Sequence, residues 1–208
     1  MEHYKRPTSI KFIYWITQGL FWLFSIAALF AIAFSIGLMI GVFDKTQLHV
    51  GVPIEINVAE QGIAHINDTD IAVEFKQMQG KIHFIDTPPF IGRTYGIFII
   101  IILSITLYIF TTFKNFITNV YNGQYFERKN IMLLKRISYA LLGSWVFTVF
   151  YAIFQKFYLV NNLEFETIIF TNEYNTYPSI LLVALLIWVL SHILLKGIEF
   201  KEESEYTI

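Results

Sequence analysis

The 208-residue chain has no cysteine, and only 15% of it is charged. Without cysteine there is neither a disulfide framework nor a thiolate metal site. With 15 Lys+Arg against 16 Asp+Glu, the net charge of -1 offers no basic footprint for direct nucleic-acid binding. Signatures of catalysis are missing too: there is no HExxH, GxSxG, P-loop or dinucleotide fingerprint. No enzyme activity, cofactor or metal is therefore expected. What is abundant is apolar surface, at 55% of residues, with 21 Phe among them. A soluble domain is about 45–50% apolar and roughly 25% charged, and a disordered chain is poor in aromatics. The composition is that of an integral membrane protein.

A bilayer core takes about 20 apolar residues as a helix, and four segments qualify. The first lies within residues 1–43, with Leu20–Val42 its most apolar part. The others occupy 93–113, 137–154 and 179–195. Ala31-Ile32-Ala33 resembles a signal cleavage site, but the apolar run continues to Phe43. A signal core is only about 7–15 residues, so the segment is expected to remain as a span. Backbone groups in lipid need partners within their own segment, which makes each run helical despite its β-branched residues.

Lys and Arg beside the spans set orientation. Lys5, Arg6 and Lys11 precede span one, and Lys114, Arg128, Lys129, Lys135 and Arg136 gather between spans two and three. Residues 44–92 instead hold three lysines against seven acids, and residues 155–178 hold Lys156 against Glu164, Glu166 and Glu173. Both termini and the middle loop are expected in the cytoplasm, with two loops outside.

The first outside loop alternates Leu48, Val50, Val52, Ile54, Ile56 and Val58 with other residues, and Ile71, Val73 and Phe75 repeat the pattern. Period two marks half-buried strands. Ile82 and Phe84 continue it, Gln79-Gly80 suggests a hairpin turn, and Pro88-Pro89 ends pairing. Leu163, Phe165, Thr167 and Ile169 alternate in the second loop. Because a two-stranded sheet alone is marginal, both loops are expected to share one cap; two separate loops are the alternative. The fold class is thus an all-α membrane bundle of four transmembrane helices with a small β-rich extracytoplasmic cap. His49, His65 and His83 lie in the cap, where a metal or pH-sensing site competes with scattered surface histidines. Asn67-Asp68-Thr69 fits a glycosylation acceptor and is assigned no role.

The apolar centres of spans one to three contain no ionisable residue, and span four has only His192, one turn before Lys196. A proton relay or ion-coupled carrier calls for an acid or arginine at mid-depth. A single histidine cannot hold haem between two spans. Gly37 and Gly41 form a GxxxG, either a packing seam or a chance pair. Gly143-Ser144 offers a second small patch.

Residues 114–136 form the most organised polar segment. Phe113, Phe116, Ile117, Val120 and Tyr121 follow helical spacing, so span two continues past the membrane surface. Asn122-Gly123 stops it, and a second helix begins near Glu127 and carries Ile131, Leu134 and Ile137 into span three. This elbow is either a partner surface or a connector lying on anionic headgroups. Gly123-Gln124-Tyr125-Phe126, then Asn130 and Leu134, resembles the G-x-x-F-x-x-x-N-x-x-x-L stretch of the bacterial domain-of-unknown-function 2975 family. Tyr125 stands where that pattern usually has proline. The ending Gly197-Ile198-Glu199-Phe200-Lys201-Glu202-Glu203, closing on Thr207-Ile208 within the acidic tail 196–208, is similar to the family's C-terminal signature.

The resemblance implies a bacterial inner-membrane protein without an assigned activity, often encoded beside a small helix-turn-helix regulator. It transfers no functional residues. The expected role is a non-enzymatic sensor, regulatory component or accessory subunit that works through cap and elbow. Its expected partners are the lipid bilayer and other membrane or cytoplasmic proteins, among them such a regulator or a larger complex. Gly123, Phe126, Asn130 and Leu134 are the candidate elbow residues. The alternative is a small transporter or channel subunit, with Thr106, Thr111, Thr112, Ser138 and Thr148 as polar lining.

Overall fold

The computed structural model describes residues 7–42, 49–54, 60–66, 69–75, 78–84, 87–164 and 176–206. Four long helices dominate: α1 (Thr8–Ile40), α2 (Pro89–Tyr121), α3 (Arg128–Phe154) and α4 (Pro178–Tyr206). All four are long and apolar enough to cross a bilayer, and the chain is a multi-pass membrane protein. At about 1.5 Å per residue, the 33 residues of α1 and of α2 span roughly 50 Å, against about 30 Å of hydrocarbon. Both therefore project well beyond the core.

Local chemistry fixes the helix ends. Proline at the first position of α2 loses no helical hydrogen bond there. At the end of α1, Gly41 turns left-handed (φ 77°) and donates its N–H to the Gly37 carbonyl. Gly41 is thus a helix stop, while Gly37 is buried within α1. α3 runs on through a π-helical turn (Gln155–Leu159) and a 3-10 turn (Val160–Asn162). The Asn162 amide donates to the carbonyls of Tyr158 at 3.0 Å and Phe157 at 3.4 Å, covering the open end.

The helices pack in chain order, α1 on α2, α2 on α3 and α3 on α4. Among the described residues no comparable packing joins α1 to α3 or α4, or α2 to α4. The bundle is an open row. Between α1 and α2, Tyr14 stacks on Tyr121 (4.3 Å between centroids) and Phe24 on Phe110 (4.9 Å). Lys114 Nζ sits 4.1 Å from the Phe21 ring centroid. On α4 the buried Ala184, Ser191 and Ile198 recur every seven residues and face α3, the repeat of left-handed helix packing.

The cap contains two antiparallel ladders. β1 (His49–Ile54) pairs with β4 (Met78–His83), and β2 (Glu60–Ile66) pairs with β3 (Thr69–Phe75). Gln79 and Gly80 do not form a hairpin turn: they lie inside β4, opposite Pro53 and Val52. β2 was not anticipated, because Glu60-Gln61-Gly62 opens it with three residues that carry no strand signal. The expected strand Leu163–Ile169 lies outside the described residues beyond Glu164. So do Ile56 and Val58, Asn67-Asp68 of the acceptor motif, the first span boundary at 43/44 and the closing Thr207-Ile208.

Candidate functional site

The elbow is built around one buried amide. Asn130, in the first turn of α3, is 1% exposed. Its Nδ2 donates to the Gln124 carbonyl at 3.2 Å, and its Oδ1 accepts from Asn119 Nδ2 on α2 at 3.4 Å. One side chain thereby holds the end of α2, the reversal and the start of α3. The reversal itself needs Gly123, whose φ of 87° puts it in the left-handed region. Gln124 N–H returns to the Asn119 carbonyl at 3.0 Å, closing the turn.

Ile131, Leu133 and Ile137 bury the inner face of α3 while Leu134 is half-buried. Phe126 is 71% exposed, so the docking of α3 rests on Asn130 and these aliphatics. The tail of α4 reaches the same place. Arg128 forms a two-pronged pair with Glu202, Nη2 to Oε2 at 2.6 Å and Nε to Oε1 at 3.3 Å. Lys196 pairs with Glu199 along α4 at 2.9 Å. The elbow is accordingly a three-helix junction with exposed charge and an exposed aromatic side chain.

At the opposite end of α2 and α3 sits a cluster that the sequence reading missed. Tyr95, Leu159 and Val160 are buried together, with Ile82, Phe84, Ile91, Tyr151 and Leu163 packed around them. Gln155, buried in the π-helical turn, donates to the Tyr151 hydroxyl at 2.9 Å. Phe98 meets Tyr151 edge-on at 5.2 Å and Phe154 at 4.9 Å. Ile82 of β4 and Phe84 beyond it bring the cap onto α2 and α3 at this point. A π-helical turn often marks a functional place in a helix, but it leaves no signature in a lone sequence.

Gly92 and Gly96 of α2 were missed as well. They bring α2 against the α1 backbone at Leu38 and Ser35, and they form a GxxxG in their own right. The sequence assignment began span two at residue 93 and left Gly92 outside it. The intramembrane hydroxyls are mostly spent on their own helices. Thr106, Thr111, Thr112 and Thr148 each donate to a carbonyl three or four residues back, at 2.7–2.8 Å, and Ser138 is buried. His192 lies 3.0 Å from the Trp188 carbonyl in the same way.

Among the described residues no three potential metal ligands come together. In the cap, His65 pairs with Asp70 across β2 and β3.

A family model described as "Protein of unknown function (DUF2975)" matches residues 24–208. No curated protein and no solved structure matches the chain.

Proposed function

Because the chain belongs to the DUF2975 family, which carries no assigned function, we propose its role from architecture: a non-enzymatic regulatory or accessory component that relays the state of its cap to a partner at its elbow. In this reading the protein sits in a bacterial inner membrane with both termini inside. The partner is a membrane or cytoplasmic protein, a small helix-turn-helix regulator being one class.

The observation that supports it is continuity. α2 and α3 meet the cap at the Tyr95 cluster, run side by side, and end at the junction held by Asn130. Packed helices transmit displacement because protein interiors compress little. A shift of Ile82 and Phe84 on the cluster therefore reaches the elbow as a shift of two rods. The transporter reading is weaker, since four of its five candidate hydroxyls bond within their own helices.

The test places a single cysteine at Gln124, in a chain that otherwise has none, and follows its thiol reactivity in membranes. Ile82→Ala and Phe84→Ala should change that rate while the protein stays abundant. Native-membrane copurification should recover a partner that is lost with Asn130→Leu. An elbow rate indifferent to both cap substitutions would refute the relay.

A further inference from the structure

Lys114 of α2 stands at the edge of the hydrocarbon. The twenty residues 94–113 before it carry no formal charge, and at about 1.5 Å per residue they cover roughly 30 Å, the thickness of a bilayer core. Its half-buried side chain reaches toward α1, with Nζ 4.1 Å from the Phe21 ring centroid and 5.7 Å from that of Trp22. Aromatic faces attract an ammonium but neutralise no charge. Among the described residues no carboxylate comes within ion-pair distance of Lys114.

On α1, positions 11, 15, 18 and 22 fall within about 60° of one another at 3.6 residues per turn. Lys11, Trp15 and Trp22 of this stripe are exposed and Gln18 is half-buried. Tyr14 and Phe24, which stack on Tyr121 and Phe110 of α2, lie to one side of it. The stripe therefore flanks the α1–α2 seam, and Lys114 meets it from across the seam at Trp22. Deeper along the same face, Ile26 and Leu29 are exposed.

We propose that this edge of the seam holds one anionic phospholipid, its phosphodiester on Lys114 and an acyl chain along Ile26 and Leu29. Charge selects the headgroup. Residues 8–42 and 89–121 contain Lys11, Arg93 and Lys114 and no acid, so a zwitterionic lipid would bring its own cation to a place without a carboxylate to receive it. At the same end of α3 and α4 the cations are offset instead, Arg128 by Glu202 and Lys196 by Glu199. Tryptophan at the level of Trp22 suits the hydrocarbon boundary, where its ring is apolar and its N–H is wet. The binding goes beyond the relay reading and does not depend on it.

Native mass spectrometry of the delipidated full-length protein in detergent tests the site, by titration with phosphatidylglycerol and with phosphatidylethanolamine of matched chains. One phosphatidylglycerol per chain should bind at least about fivefold more tightly than phosphatidylethanolamine, the effect of one lysine near an anionic headgroup. Lys114→Gln should lose about fivefold or more of that affinity, and Lys114→Arg should keep it. Lys11→Gln should weaken phosphatidylglycerol measurably. Arg136→Gln, an exposed cation at the start of span three, should bind as the parent does.

Circular dichroism and thermal unfolding in lipid-free detergent separate lost binding from lost folding. Lys11 is exposed in the first turn of α1, so Lys11→Gln carries the test should Lys114→Gln fail to fold. Equal binding of the two lipids would overturn the proposal, as would parental affinity in a folded Lys114→Gln variant or in Lys11→Gln. A loss with Arg136→Gln as large as with Lys114→Gln would also overturn it, replacing a site at the seam with a diffuse basic surface.

Discussion

Gly96 of α2 lies so close to the Ser35 carbonyl of α1 that a β-carbon at position 96 would stand 2.9 Å from that oxygen. The same atom would meet Met39 Cγ at 2.7 Å, but a methionine side chain can swing aside and a helix carbonyl cannot. Ser35, 0% exposed, returns its own hydroxyl to the Ala31 carbonyl at 2.8 Å, so it adds no donor across the seam. What holds α1 to α2 here is close backbone approach.

Gly96→Ala should destabilise the protein by about 1–3 kcal/mol, the usual range for overpacking, and Gly96→Val by more. Gly92→Ala should be much milder, because its β-carbon would reach the Leu38 carbonyl only at an ordinary 3.5 Å. Thermal unfolding in detergent orders the variants. Equal effects at 92 and 96 would contradict the geometry.

At the elbow, Asn130→Leu removes the donor to Gln124 and the acceptor for Asn119. Gln124 is exposed, so water can take the place of the lost donor, and each hydrogen bond removed should cost about 0.5–1.5 kcal/mol. Asn130→Asp keeps the acceptor and loses the donor while burying a charge, so it should rescue nothing. The readout is tryptic cleavage at Arg128 and Lys129 in inside-out vesicles, faster in both variants than in the parent.

Gly123 carries a different constraint. Nothing lies within 4 Å of where its β-carbon would be, so the obstacle is dihedral alone. The left-handed conformation costs an ordinary residue roughly 1–2 kcal/mol, and asparagine less. Stability should fall in the order Gly, Asn, Ala, Val. A Gly123→Asn variant as poor as Gly123→Val would mean that space, and not φ, limits the position.

Arg128 and Glu202 should behave as an exchangeable pair. Reversing either charge should free the α4 tail, seen as faster proteolysis after Lys201, and reversing both should restore it. The effect should shrink with added salt, since the two side chains are about half exposed.

Orientation is checked with single cysteines. Gln61→Cys and Asn161→Cys should react with an impermeant maleimide in intact cells, and Gln124→Cys only after permeabilisation. Labelling of Gln124→Cys from outside would invert the proposed topology and move the relay's output to the other side.

The four spans could be read because a charge-free apolar run has one solution in lipid, and the elbow because Asn122-Gly123 interrupts a periodic pattern. Strand pairing could not. Period two reports a strand but says nothing of its partner, so β4 was joined to β3 in expectation and is joined to β1 in the structure. A close seam is expected at Gly37 and Gly41, of which Gly37 is buried in α1; the approach at Gly96 of α2, which a β-carbon would break, was not expected. Glycine spacing is visible on any helix, but which glycine meets a neighbour's carbonyl depends on how the two helices rotate. Asn130 could be singled out only by resemblance, since no rule of spacing foretells that an amide will be buried at a three-way junction. Phe126 belongs to the same stretch and stands exposed.

The open row of helices bears on how the protein is made. Among the described residues each outer helix packs extensively on one helix, and that partner is its neighbour in the chain. Translation would thus deliver α1 and α2 as a hairpin whose main interface is already complete, then α3 and α4 as a second, leaving the α2–α3 contact to join two preassembled halves. Nothing made early has to wait for the last helix to find its place. A gene divided at the codon for Gly123 and expressed as two polypeptides should consequently still yield a paired complex in the membrane, whereas division between α1 and α2 should leave α1 to be degraded as an orphan.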